Sequence, residues 1–323
     1  MQPNPPLILG LLIDQHEFLR PLRLPERKGR QMDPVTAMYV SQGLHGLTYG
    51  MILFLIASGL TIIFGMMSIL NLAHASFFML AAYFCYEVLR ITGSFWVALL
   101  IAPLLVGVLG AFVERYMLRR IHAHGHLGEL ILTTGVMMLI LGGVMQIWGT
   151  AGLPVPVPES LRGVVAIAGM YYPVYRLFVI GASLFVIILM VLILYGTRTG
   201  KIVRAAVSDS DMVSSLGINV PLVFMFVFGF GTWLAGLAGV VVAPILTVFP
   251  GLAEQIGMEA FMVVVTGGFG SLTGAFVVSI IFGLLNSYGI QFVSVLAPLL
   301  MITFMAIVLA IRPQGLFGVI EDE

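Results

Sequence analysis

The stretch Ser58–Tyr83, SGLTIIFGMMSILNLAHASFFMLAAY, decides how the chain reads. Its background is apolar enough for hydrocarbon, yet Thr61, Ser68, Asn71, His74 and Ser76 interrupt it. A polar group without a partner is costly in a bilayer core, so residues like these usually face a bundle interior or a water-filled path. The stretch therefore predicts a membrane machine organised around a polar seam.

The composition agrees. The 323 residues are 60% hydrophobic and 9% charged, with a mean hydropathy of +1.09. A soluble domain usually carries about a quarter charged residues. Several apolar runs reach the ~20 residues a helix needs to cross, and no ~10-residue alternating segments of a membrane barrel occur. The expected fold class is all-α: a polytopic integral membrane helical bundle of about eight spans, with a broken or re-entrant segment in each half. Net charge is zero, and nothing suggests nucleic acid as a partner. The single cysteine, Cys85, excludes an internal disulfide and a cysteine metal cluster, and reads as a small packed residue.

Residues 1–35 hold a short apolar run, Leu7–Ile13, followed by Arg20, Arg23, Arg27, Lys28 and Arg30. That order is wrong for a signal peptide, so the segment is expected to be a basic cytoplasmic extension. A transmembrane core is expected over 36–315, with a short acidic tail over 316–323. Spans are predicted near 40–66, 67–90, 95–113, 130–149, 174–195, 221–244, 259–286 and 290–311. The proline-rich segment 150–173 reads as an external loop.

Counting crossings exposes a conflict. Three further regions are basic: Arg115, Arg119 and Arg120; Arg198, Lys201 and Arg204; and Arg312. Three spans separate the basic N-terminus from Arg115, and three separate Arg204 from Arg312, whereas points on one side need even numbers. One repair adds a broken or re-entrant crossing in each half, within 61–76 and within Val263–Ala275. The other puts both termini outside. The first is preferred.

If 61–76 is helical, Thr61, Gly65, Ser68 and Asn71 share one small, polar face with His74 alongside. These side chains either bond neighbouring helices or line a path, and the residues leave both open. His74 has no second histidine at metal spacing, so no metal is expected, and its role is read as fixing the bend after Asn71. In the other half Thr266, Gly267, Gly268 and Ser271, with Gly270 and Gly274, allow close helix approach or an unwound stretch. Gly231, Ala235 and Gly239 form a further close-contact face.

The loop 196–219, GTRTGKIVRAAVSDSDMVSSLGIN, has a pattern of its own. Ser208 or Asp209 can cap a short helix with Asp211 in its first turn; Met212, Val213 and Leu216 give it an apolar side, and Gly217 ends it. Such a helix either docks a partner or lies on the membrane. Gly196–Ile202 superficially resembles a phosphate loop, but it has three residues between its glycines and Ile202 where a magnesium-holding hydroxyl would stand.

Together these regions resemble the shorter, H-type membrane permease of bacterial branched-chain amino acid ABC importers. The residues carrying the resemblance are Gly59–Gly65, Asn71–Ala75 and Met79–Tyr83; then Arg204-Ala205, Asp209, Met212 and Gly217-Ile218; then Gly267–Ala275 and the ending Arg312–Gly318. The resemblance implies half of a translocation pathway, paired with a second permease subunit that is a different chain. Two ATPase subunits would drive it by gripping Lys201, Arg204, Asp209, Met212, Gly217 and Ile218, and a periplasmic binding protein would deliver the solute. The chain itself would make or break no bond and need no cofactor. Its partners would otherwise be membrane lipid, in the inner membrane. Ala75, Ser76 and Ala81 depart from the family pattern and leave the solute open among branched-chain amino acids and related small molecules. The rival class, an ATPase-independent channel or secondary transporter, would need an intramembrane charge for coupling; Glu87, Glu259 and Arg176 are the candidates, all near predicted span ends. An intramembrane hydrolase would need a nucleophile beside His74, and none is evident.

Overall fold

The computed structural model describes residues 33–122, 125–167 and 170–318. The basic run Arg20–Arg30 and the acidic end of the tail lie outside the described residues. The regular structure described is helical apart from one short hairpin and an isolated bridge between Leu153 and Val248. Helix α1 covers Pro34–Met67, α2 His74–Thr92 and α3 Phe95–Val113, which continues through a π turn at Glu114–Leu118 to Ile121. Helix α4 covers Gly125–Trp148, and the antiparallel strands β1 (Val164–Ile167) and β2 (Met170–Pro173) fold the loop after it. Then come α5 (Val174–Val191, extended by a π turn to Gly196), α6 (Arg198–Ser208), α7 (Ser210–Ser215) and α8 (Val220–Val242). The chain closes with α9 (Leu252–Gly267), α10 (Leu272–Val293) and α11 (Ala297–Ile311).

Among the described residues seven helical stretches are long and apolar enough to cross a membrane, one of them joining α10 and α11 across a short 3₁₀ turn. The buried centre is α1, α2 and α8, packed on α3, α9 and α10. Small residues permit this closeness. Gly46 and Gly50 of α1 lie against Ser279, Gly283 and Leu284 of α10, where a Cβ on either glycine would press into backbone. The face Gly231–Ala235–Gly239 of α8 meets α1 at Gly59 and α2 at Phe78. Helices α4, α5 and α11 instead expose long apolar faces such as Leu127, Ile131 and Leu139, as lipid-facing helices do.

Tracing contacts gives the topology. The start of α1 shares one end of the bundle with the hairpin and the far end of α10. Thr48 Oγ1 lies 3.0 Å from the Tyr172 hydroxyl, Tyr288 donates to Tyr39 O at 3.0 Å, and Arg176 meets His45. The close of α1 lies at the opposite end, beside Gly270, α6 and the residues after α11. The expected span over 259–286 is two helices, because the glycine turn at 268–271 divides it; an even number of segments therefore connects Arg204 to Arg312. In the first half three segments remain, so Asp33 sits at the end opposite the three basic loops. This corrects the preferred repair: an additional crossing appears in the second half only. At 34 residues, α1 is about 51 Å long against a core of about 30 Å, so it extends beyond the hydrocarbon.

Candidate functional site

The continuous helix considered over 61–76 stops at Met67. Ser68 takes φ 55° and ψ 24°, and it is the single positive-φ non-glycine among the described residues. That conformation is uncommon for a residue bearing a Cβ. Asn71 then accepts the Ala73 N–H on Oδ1 at 3.1 Å and so shapes the start of α2. The chain doubles back: His74 Nε2 lies 3.1 Å from Ile56 O, and Ile56 stands about 16 Å before the end of α1 along its axis. With a carbonyl as its partner, Nε2 is the protonated nitrogen, which leaves Nδ1 as an acceptor. The segment 68–73 is thus a re-entrant break inside the bundle.

Beside it lies a cavity of about 630 Å³. One wall is the break and the first turn of α2: Asn71, Leu72, His74, Ala75 and Ser76. A second is a thioether-rich face of α4, with Met137, Met138 and Met145, and the third is the start of α9, from Pro250 to Phe261. Ala75 fits where Gly257 has no side chain, so α2 and α9 close upon each other. Glu254 is the one charged residue in the lining. A cavity with mostly apolar walls and a polar strip suits a small solute that is polar at one end and apolar at the other.

The polar strip is incompletely satisfied. The Asn71 Nδ2, His74 Nδ1 and Ser76 Oγ atoms are buried without a hydrogen-bond partner, as are the hydroxyls of Thr61 and Thr266. An unmade buried hydrogen bond costs about 1–3 kcal/mol, and packing alone supplies no reason to keep several in one seam. A wall that rearranges can offer these atoms partners.

The other residues singled out by sequence lie elsewhere. Thr61 and Gly65 line a smaller cleft of about 180 Å³ with Arg204, Gly270 and Leu272. Thr266, Gly267, Gly268 and Ser271 build a sealed turn rather than a wall of the large cavity. Ser271 caps α10 by accepting the Gly274 N–H at 3.1 Å, and Gly267 packs on Gly274 backbone. The tail crosses over this turn: Leu316 N–H donates to Thr266 O at 2.9 Å and Phe317 N–H to Gly267 O at 3.0 Å. Gly268, at φ 101°, meets the backbone of Gln314 and Gly318. The α4 methionines and Glu254 went unmarked in the sequence. The helix is apolar on all sides, so nothing in its sequence set these methionines apart from lipid-facing residues.

The residues of the 196–219 loop form a compact unit. Asp209 Oδ1 accepts the Met212 N–H at 2.8 Å and caps α7. The helix closes with Gly217 at φ 82°, Gly217 N–H on Ser214 O and Ile218 N–H on Val213 O, which is a Schellman ending. Val213 turns inward onto Ala206 and Val220, while Met212 and Leu216 remain 63% and 72% exposed. Lys201 is exposed on α6, and Arg204 stacks over the Tyr195 ring at 4.6 Å. The three charges a coupled transporter would use all have local partners. Glu87 pairs with Arg90 at 2.8 Å and accepts Trp148 Nε1–H at 2.8 Å, Glu259 accepts the Tyr49 hydroxyl at 2.6 Å, and Arg176 meets His45. Glu259 lies deeper than expected, against the body of α1.

A family model described as branched-chain amino acid transport system / permease component matches residues 43–311. The high-affinity branched-chain amino acid transport system permease protein BraD of Pseudomonas aeruginosa is 27% identical over 303 residues, covering 88% of this chain and 97% of the relative. The corresponding protein LivH of Escherichia coli K12 is 27% identical over 304 residues with the same coverage. A probable LivH of Methanocaldococcus jannaschii is 24% identical over 288 residues. Among solved structures, PsaBC from Streptococcus pneumoniae in complex with Fab matches at 14% identity and a TM-score of 0.48, covering 84% of this chain and 92% of that one.

Proposed function

Because the chain belongs to the family of branched-chain amino acid transport system permease components, we propose that it forms one half of an ABC importer's pathway for branched-chain amino acids or related small molecules. The observation that carries this reading is the 630 Å³ cavity beside the re-entrant break, apolar on α4 and polar along Asn71, His74 and Ser76. A second permease subunit would complete the path, a binding protein would deliver the solute, and two ATPase subunits would supply the work.

The three basic regions assign the end holding α6, α7 and Arg312 to the cytoplasm. The 150–173 loop and the beginning of α1 then lie outside, and the inner membrane is the setting. The capped α7, with Met212 and Leu216 outward and Lys201 beside it, is the surface for an ATPase. Its burial against α8 through Val213 and Val220 offers a stiff route into the bundle. ATP binding would move this unit, α8 would carry the displacement toward α1 and α2, and the break would yield. The chain needs no reactive group for this: it binds, excludes and moves.

The test is ATP-driven uptake in proteoliposomes holding both permeases, the ATPases and the binding protein. Pairing Met212→Glu with Leu216→Glu should abolish assembly with the ATPases while leaving the permease folded. Normal assembly and uptake in that double variant would remove the coupling role from α7. Uptake that persists without any ATPase would support the channel reading instead.

A further inference from the structure

A second, smaller cleft remains unused by this reading. We infer that it binds the phosphate headgroup of an anionic phospholipid from the cytoplasmic leaflet; the inference rests on the cytoplasmic assignment of this end. The cleft, about 180 Å³, lies where the closing turns of α1 and α5 meet α6 and the glycine turn. Helix α5 ends its 23-residue apolar span on Tyr195, which is 59% exposed, the position aromatic rings take at a membrane surface.

Arg204 supplies the charge. Its guanidinium stacks on Tyr195 and lines the cleft, and no carboxylate pairs with it among the described residues. Two further groups point to an anion. Thr61 is 1% exposed, yet its hydroxyl lacks a partner at the cleft wall. The first turn of α10 also reaches the cleft at Leu272 and, with Ser271 capping its Gly274 N–H, brings the positive end of the helix there. Ile62, Met66 and Leu194 complete the lining with apolar surface suited to the start of an acyl chain.

The orientation of α6 fits the same occupant. Gly200, Val203 and Ala206 are buried against the protein, and Arg198, Lys201 and Arg204 are exposed on the other side. An amphipathic helix with that pattern lies along an anionic bilayer surface. An ATPase could take Lys201, but Arg204 turns toward Tyr195 and the cleft. Bound lipid would bridge α6 to the glycine turn.

The experiment is native mass spectrometry of the assembled complex in neutral detergent, titrated with phosphatidylglycerol or phosphatidylcholine, without ATP or solute. Wild type should retain phosphatidylglycerol at concentrations where phosphatidylcholine is lost. Arg204→Gln should weaken that retention about tenfold, Arg204→Lys about threefold, and Lys201→Gln less than twofold. Equal retention in Arg204→Gln, or equal loss in Lys201→Gln, overturns the site. Displacement of the lipid by 10 mM inorganic phosphate would make it a free-anion site and overturn the lipid assignment. Should Arg204→Gln fail to assemble, a photoactivatable phosphatidylglycerol on wild type decides: crosslinks to 61–66, 194–204 or 270–272 support the site, and crosslinks elsewhere overturn it. A complex that retains lipid yet takes up no branched-chain amino acid would sink the transport reading and leave this one standing.

Discussion

The chain is interrupted twice inside its bundle, and the two interruptions are built from opposite materials. At 68–73 the break carries a left-handed serine and polar side chains, and a 630 Å³ cavity stands beside it. At 268–271 the break turns on Gly268 and Gly270, and the tail caps the Thr266 and Gly267 carbonyls that lead into it through Leu316 and Phe317. Glycine lets backbones meet and share hydrogen bonds, so the backbone of the second break is closed and paired, with the buried Thr266 hydroxyl left without a partner there. Polar side chains hold their surroundings apart and leave atoms without partners, so the first break is open and costly. Similar irregularity thus closes a joint in one half and borders a cavity in the other.

The sharpest way to break this contrast is to give the closed joint a side chain. A Cβ at Gly267 would stand 2.6 Å from the Gly274 carbonyl carbon and 2.7 Å from Ala275 N, and backbone cannot step aside as a side chain can. Gly267→Val should therefore cost about 3 kcal/mol or more and appear as loss of folded permease in a thermal melt. At the open break, Asn71→Leu should remain folded within about 2 kcal/mol but lower uptake at least tenfold. Wild-type uptake in Asn71→Leu would reduce the seam to packing, and a wild-type melt in Gly267→Val would deny that the second break is a fixed joint.

Removing the cap from the closed joint is a milder test. A chain ending after Pro313 frees the Thr266 and Gly267 carbonyls, which should cost about 1–2 kcal/mol in total because water at the bundle end replaces part of each bond. Hydrogen exchange should then rise over 266–275 and stay unchanged over 68–76. A rise in both segments would show that the two breaks move as one unit.

How much of this was readable beforehand differs between the same two places. Apolar runs and caps located the helices; the choice of Ser208 or Asp209 as cap resolves to Asp209, and Gly217 ends α7 as expected, because capping is local chemistry. The glycines announced a second break, and an even count of segments follows from it. The sidedness of α1 was not readable: five basic residues outweighed a crossing count that was correct at three. Nor was the cavity. Asn71 and His74 were legible because polar residues stand out in apolar sequence, whereas Met137, Met138 and Met145 look like any lipid-facing helix until α9 is placed opposite them. The seam and the glycines were expected to wall one path together; long-range packing puts them in different places.

The smallest expected effect asks the finest question, which is whether His74 touches cargo or holds the wall. Its Nε2–H donates to Ile56 O at 3.1 Å, and a Cβ at Gly59 would stand 3.0 Å from its Cε1, so the ring wedges the start of α2 against α1. Glutamine can reach the same carbonyl with its amide but has no ring to fill the wedge. If His74 only braces the break, His74→Gln should lower stability by about 1 kcal/mol and change uptake less than threefold, because the bond is kept and part of the packing is lost. His74→Leu, which leaves no donor, should cost more and should loosen 68–76 to hydrogen exchange. A tenfold fall in uptake for His74→Gln with an unchanged melt would mean that Nδ1 meets the solute. The open break would then be pathway along its whole length, and the contrast with the capped glycine joint would become one between a binding surface and a hinge.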